Sequence, residues 1–140
     1  MAADPKLDLL KSIPLFSNLN RKHLERLSQL TDEVDLPAGR VLWNQGDPGN
    51  EMFVIVSGNV RVMRDGRLLA DLGPGSIIGE MALYAEGPRV ADVTVTEPSK
   101  MLVVGHRNFH ALMDEFPEVR LQVLDVLAKR VALLDPAPSN

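Results

Sequence analysis

"EMFVIVSGNVRVMRDGRLLADL", residues 51–72, is the stretch on which the fold turns. Two β-rich runs lie around Ser57-Gly58-Asn59, and Asp65-Gly66 supplies a hairpin turn before "RLLADL". Upstream, "RVLWNQGDPGN" (40–50) ends a strand in a Gly/Asp/Pro cluster. Downstream, "VADVTV" (90–95) alternates cleanly and "KMLVVG" (100–105) is a short apolar strand. Turn signals recurring about every 8–12 residues predict a sandwich or barrel. We read residues 32–104 as a jelly-roll-like β-barrel, a double-stranded β-helix.

Helices are expected on both sides of it. Within 1–31, "PKLDLLKSI" is a short amphipathic segment stopped by Pro14. "NLNRKHLERLSQL" then places Leu24, Leu27 and Leu30 on one face behind Asn20 as N-cap. Within 106–134, "RNFHALMDEF" ends before Pro117, a residue suited to the first turn of a new helix. That last helix, "PEVRLQVLDVLAKRVALL", carries two apolar stripes: Val119, Val123 and Val126, then Leu124, Leu127, Val131 and Leu134. A surface helix needs only one, so this one is expected to cover a pocket, pair with a second chain, or both. The last residues, "DPAPSN", are expected to fray.

At 140 residues the chain suits one domain with a proper core, and 45% hydrophobic with 24% charged residues is ordinary for a globular protein. Aromatics are only 4%, so Val, Leu and Ile must fill the interior. The net charge of −4, with no basic run longer than Arg21-Lys22 or Lys129-Arg130, argues against a nucleic-acid footprint. Without cysteine, neither a disulfide nor a thiolate metal site is possible. The N-terminus lacks an apolar signal region and no window suits a spanning helix, so the expectation is a cytoplasmic protein off the membrane.

Function is concentrated in "PGSIIGEMALYAEGPRVADVTV", residues 74–95. Glu80 and Arg89 stand there among small and apolar neighbours, while Glu86 and Asp92 read as turn and strand-surface positions. A structural ion pair, or two side chains reaching for water, is the plain reading of two such charges. Three local features favour a ligand. Gly79 precedes a helix-compatible run, and a helix start offers free N–H groups to an anion while glycine allows close approach. Arg89 follows a rigid Gly87-Pro88 turn, which suits a guanidinium held for paired hydrogen bonds to phosphate. Glu80 can only accept, and sugar hydroxyls are fitting donors. Phosphate, ribose and a flat base in an apolar barrel answer the description.

With these residues in view, the segment resembles the phosphate-binding cassette of cyclic nucleotide-binding domains, the family of the catabolite activators and the regulatory subunits of protein kinase A. The cassette, taken as 78–91, has Gly79-Glu80-Met81-Ala82-Leu83 and then Arg89-Val90-Ala91. "IPLFSNL" (13–19), "GDPGNEMFVIVSGNVRV" (46–62) and "LGPGSIIGE" (72–80) resemble the family's other landmarks, so the likeness spans nearly the whole chain. It implies that Glu80, helped by the Gly79 backbone, binds the ribose 2′-hydroxyl. Arg89 would pair with the phosphate, assisted by backbone N–H groups near Ala82 and Ala91. It further implies that Val62, Leu72 and Ile78 pack on the ligand and that Arg130 reaches the pocket from the last helix. Val90 stands where members preferring cGMP often carry Thr or Ser, which tilts the expected ligand to cAMP. Leu134 and Asp135 stand where the catabolite-activator branch carries small hydroxyl residues that contact adenine, so base recognition should differ from that branch or be mostly apolar.

The same likeness implies a non-catalytic sensor. The sequence stops where a transcription-factor relative would begin its helix-turn-helix, so the expectation is a stand-alone sensor without DNA contacts of its own. It would act through an effector protein or a homodimer along the last helix, unless a longer protein continues beyond it. His106 and His110 have metal-ligand spacing, but Asp114 is only a formal third ligand. A cupin metal enzyme would need a His-x-His on strands, and residues 32–104 contain no histidine. Trp43 reads as core, and Asp32, Glu33 and Asp35 as a solvated strand edge. The remaining alternative is a degenerate domain in which Glu80 and Arg89 pair with each other and the last helix serves for dimerisation.

Overall fold

The structure, a computed structural model, describes residues 5–81 and 87–134. Helix α1 (Pro5–Ser12), a 3-10 turn (Pro14–Phe16) and α2 (Arg21–Leu30) come first. Then follow β1 (Asp32–Leu36), β2 (Val41–Trp43), β3 (Glu51–Arg64), β4 (Arg67–Leu72), β5 (Ile77–Ile78) and β6 (Asp92–Gly105). Helices α3 (His106–Glu115) and α4 (Pro117–Leu134) close the described chain. The Asn20 side chain caps α2 by accepting from the His23 N–H at 2.9 Å, and Leu24, Leu27 and Leu30 are buried as the pattern predicts.

The strands form a mostly antiparallel, flattened barrel left open at its edges, the jelly-roll outline expected. Its spine is the pairing of two 14-residue strands, β3 and β6. At one end, β1 pairs with β6 over 99–103 and β5 with β3 over 53–54. At the other, β2 pairs with β6 over 93–94 and β4 with β3 over 60–64. Each long strand therefore serves two four-stranded layers, bending between them. Two features of the sequence reading change here. Ser57-Gly58-Asn59 does not separate two strands but sits inside β3, and "VADVTV" and "KMLVVG" are the two ends of β6. The bend is built by close approach: Gly58 has φ +99°, and a Cβ there would collide with Ser99. The Ser99 hydroxyl then accepts from the Asn59 N–H at 3.1 Å and donates to the Glu97 carbonyl at 2.8 Å.

The hairpin from β3 to β4 is the predicted one. Asp65 and Gly66 both have positive φ, and Arg64 pairs with Arg67 across a two-residue turn. β1 is an edge strand whose Glu33 and Asp35 are paired with Lys100, as a solvated acidic edge should be.

The interior has two apolar clusters. One joins the helices to the outer face of the barrel through Met52, Val54, Ile77, Leu102 and Val104. The other fills the barrel with Trp43, Phe53, Ile55, Val60, Ile78, Val93, Val95, Met101 and Val103. Alternate residues of β3 thus face opposite cores, which is why "MFVIV" is apolar without a break. Val119 and Val123 seat α4 in the helical core, with Val126 half-buried beside them. Its second stripe is divided. Leu124 and Val131 are exposed, at 40% and 50%, Leu127 is half-buried, and the Leu134 side chain lies outside what is described; Leu121, off that stripe, is 65% exposed.

Candidate functional site

A cavity of about 150 Å³ opens in the barrel wall between β3, β4, the end of β5, the segment before β6, and α4. Its lining includes Gly79, Glu80, Met81, Arg89, Val90 and Ala91 of the cassette, with Val62, Leu72, Ile78 and Arg130. The sequence-selected residues are thus brought together, apart from Ala82, which lies outside the described residues. Asp135 lies outside them as well. Trp43, Leu69, Ala70 and Val93 line the cavity too and were not picked out from the sequence.

Arg89 reaches the site because its backbone is pinned. Its N–H donates to the Asp47 carbonyl at 2.8 Å, and its carbonyl accepts from the Gly46 N–H at 2.7 Å. The 44–47 turn is itself closed by the Asp47 carboxylate accepting from the Asn44 N–H at 2.8 Å. Asp92 braces it, accepting from the Gln45 N–H at 2.6 Å. From this anchor the guanidinium turns inward and is 6% exposed. It lies over the Trp43 ring, 3.7 Å from the ring centre, and one Nη donates to the Gly79 carbonyl at 3.3 Å. Its Nε is buried and has no hydrogen-bond partner among the described residues. Burial pushes the guanidinium below its ordinary pKa, against the opposing pull of the Glu51, Glu80 and Asp47 carboxylates. Because arginine stays protonated in proteins, the outcome is a cation short of solvent and of hydrogen-bond acceptors.

Two glycines make room for it. A Cβ at Gly49 would overlap the Arg89 Nε and Cζ. Gly79, at φ +89°, would place a Cβ 2.7 Å from the Arg89 Nη and from the Glu51 carbonyl. The space on the Cβ side of Gly79 is therefore taken by Arg89, while Gly79 still lines the cavity.

Glu80 is 1% exposed, and its two carboxylate oxygens accept from one Arg130 Nη at 2.7 and 2.8 Å. This corrects the pairing expected of a degenerate domain: Glu80 is bound to Arg130, fifty residues on, and not to Arg89. Arg130 keeps 23% of its side chain exposed and ties α4 to the cavity floor. Beyond these charges, Val62, Leu69, Ala70, Leu72, Met81 and Val90 give the cavity apolar walls. Elsewhere, His106 and His110 meet edge to face at 4.6 Å between ring centres. No cluster of three metal-ligating side chains occurs among the described residues. No described helix is long and apolar enough to cross a membrane.

The chain belongs to the cyclic nucleotide-binding domain family, whose model matches residues 33–116. The Pycsar effector protein XpPycTIR of Xanthomonas perforans is 36% identical over 115 residues, covering 81% of this chain and 38% of that protein. The crystal structure of the Thermus thermophilus catabolite activator protein superposes with a TM-score of 0.76 at 32% identity, covering 87% of this chain and 60% of that one. The regulatory domain of Toxoplasma gondii PKA with cAMP gives a TM-score of 0.65 at 28% identity, covering 79% of this chain and 46% of that one. The chain spans 38–61% of the length of the first curated relatives it matches. The family is regulatory and generally non-catalytic, and its members support cyclic nucleotide sensing here. Membership also displaces the cupin reading.

Proposed function

We propose that this chain is a non-catalytic, cytoplasmic cyclic nucleotide sensor that takes cAMP in preference to cGMP, with residues 1–140 acting as one binding unit. The observation that carries the reading is Arg89: a buried guanidinium whose Nε has no partner among the described residues, lining a cavity whose other walls are mostly apolar. The cyclic phosphate, a singly charged anion, supplies the missing acceptors through charge-assisted hydrogen bonds. Glu80 accepts the ribose 2′-hydroxyl while keeping Arg130, since a carboxylate has acceptor sites for both. The base lies against the apolar walls, and Val90 has no hydroxyl with which to bind guanine.

Arg130 is the route by which occupancy reaches α4. A ligand sharing the Glu80 carboxylate changes the contact that holds this helix, and it shifts the helix only by its preference for one arrangement. The exposed Leu121, Leu124 and Val131, with Ala128 between, repeat at spacings of three and four residues, which suits pairing with a second copy. The signal then passes to an effector protein through that paired helix.

A thermal-shift screen with cAMP, cGMP, other cyclic nucleotides and linear AMP tests the reading, because a ligand of the native state raises the melting point by mass action. The expected result is a rise with cAMP, larger than with cGMP and absent with AMP. No rise with any cyclic nucleotide overturns the sensor. Val90→Thr should then improve cGMP relative to cAMP; an unchanged ratio removes the ground for the preference. Leu124→Glu should lower the mass seen by light scattering, and an unaltered mass rules out pairing along α4.

A further inference from the structure

Beneath the candidate anion site lies the ring of Trp43. We propose that Trp43 is the positioning residue for Arg89, holding the guanidinium by its face so that the part of its edge not bound to the Gly79 carbonyl stays open to the anion. This deepens the cyclic nucleotide reading and rests on it.

A buried arginine is ordinarily compensated by a carboxylate, which binds the same N–H groups that a phosphate would need. An anionic ligand must then displace an anion already in place. Arg89 is arranged otherwise. Among the described residues the one carboxylate buried in the cavity, Glu80, is bound to Arg130. Glu51 and Asp47 attract the guanidinium, yet among the described residues neither forms an ion pair or side-chain hydrogen bond with it. Among the described residues its contacts are a single hydrogen bond from one Nη to the Gly79 carbonyl, at 3.3 Å, and the face of the indole, at 3.7 Å.

The geometry of that contact matters. An aromatic ring attracts a cation through its face, without a formal charge and without an acceptor directed at the guanidinium edge. Phosphate recognition uses the edge, in the plane of the guanidinium. Stack and salt bridge are therefore perpendicular demands on one group, and both can be met together. Trp43 is itself held by the barrel: it ends β2, pairs in register with Val93, and meets the Phe53 ring at 5.7 Å between centres. Gly49 and Gly79 close further sides, since a side chain at either would strike the guanidinium. Ring and backbone together fix the plane of Arg89 before any ligand arrives, which lowers the ordering cost of binding.

Trp43 is also the single tryptophan of the chain, so the indole emission comes from this contact alone. The test has two arms. In the first, emission of the ligand-free protein is compared with that of Arg89→Met. A changed intensity or maximum is expected, and an identical spectrum overturns the stack. In the second, cAMP affinity is measured by calorimetry for wild type, Trp43→Phe and Trp43→Met, with ligand-free melting points recorded for each. Methionine retains an apolar, space-filling side chain without a ring; phenylalanine retains the ring in a smaller volume. The expected loss is roughly tenfold for Trp43→Met, with Trp43→Phe recovering to within about threefold of wild type. Equal affinity in Trp43→Met and wild type overturns the inference and leaves the sensor reading standing. Equal losses in both variants assign Trp43 a space-filling role and overturn it as well. If wild type takes no cyclic nucleotide, the sensor reading falls and this inference falls with it. Should the Trp43 variants fail to fold, the emission arm still decides.

Discussion

The two ends of the β3–β6 ladder are made of the same two strands and do different work. Over 52–55 and 101–104 both faces are dry, with helices packed on one side and the barrel interior on the other. Over 60–64 and 92–96 burial alternates: Val60, Val93 and Val95 face inward, while Arg61 and Thr96 meet solvent. The cavity belongs to this second end, with Val62, Leu72 and Val93 in its wall. The first end supplies cohesion and the second lends the cavity its apolar wall, while Glu80 and Arg89 enter it from the segments after β5 and before β6. One bend at Gly58 and Ser99 separates the two.

Substitutions at the two ends should therefore separate binding from stability. The largest effect on binding is expected at Arg89. Arg89→Met removes charge-assisted hydrogen bonds to the ligand worth about 1.5–3 kcal/mol each, or about one to two decades of affinity apiece. The same change removes a desolvated, poorly partnered cation, so ligand-free melting should hold or rise. A melting point that falls steeply would mean that Arg89 is structural, and the contrast between the ends would collapse.

Leu102→Ala, in the dry end, should cost about 2–5 kcal/mol in urea unfolding through the cavity it leaves. Ligand preference should not change. Val62→Ala, at the wet end, should cost only about 1 kcal/mol because Val62 is half-buried, and it should weaken binding instead. The reverse pattern, with Leu102→Ala selectively weakening ligand, would erase the division.

Glu80→Gln should reduce stability by about 1–2 kcal/mol, less than for a fully buried pair because Arg130 is partly solvated. If α4 is tied to the cavity through this pair, hydrogen exchange near Arg130 should quicken in the variant. Unchanged exchange there would uncouple the helix from the site.

The smallest effect is expected in the helical layer. Arg26 donates to both oxygens of Glu115 at 2.7 and 2.8 Å, and this holds the Glu115 carboxyl below the usual range. A depressed carboxyl stabilises the fold above its unfolded pKa and ceases to do so as pH falls through its folded pKa. Glu115→Gln should therefore slightly flatten the loss of stability in acid, and salt should shrink the difference because the pair is exposed. An identical acid profile in the variant would show that the pair contributes nothing.

Much of this arrangement was legible beforehand where the signal was local. Asp65-Gly66 specifies its turn because both residues tolerate positive φ. Asn20 caps α2 because its short side chain reaches back to the N–H three residues on. Glu80 and Arg89 stood out because charges are costly among apolar neighbours. Less was legible where a signal had two outcomes. Ser57-Gly58-Asn59 carries the marks of a turn, and only the parallel bend of β6 makes it an interior kink. Trp43 was assigned to the core, which is half of its place; nothing in its neighbours along the chain reveals the guanidinium above it.

The flanking helices, the Asp65-Gly66 hairpin, the Asn20 cap and the two charges of the cassette follow from the chain alone, because backbone preference and burial cost act over a few residues. The partner of Glu80, the ring under Arg89 and Gly49, which admits it, come from segments forty to fifty positions away. Such contacts exist only once β3 and β6 have paired along their whole length and α4 has come down across the cavity, since it is their geometry that brings the distant groups within bonding distance.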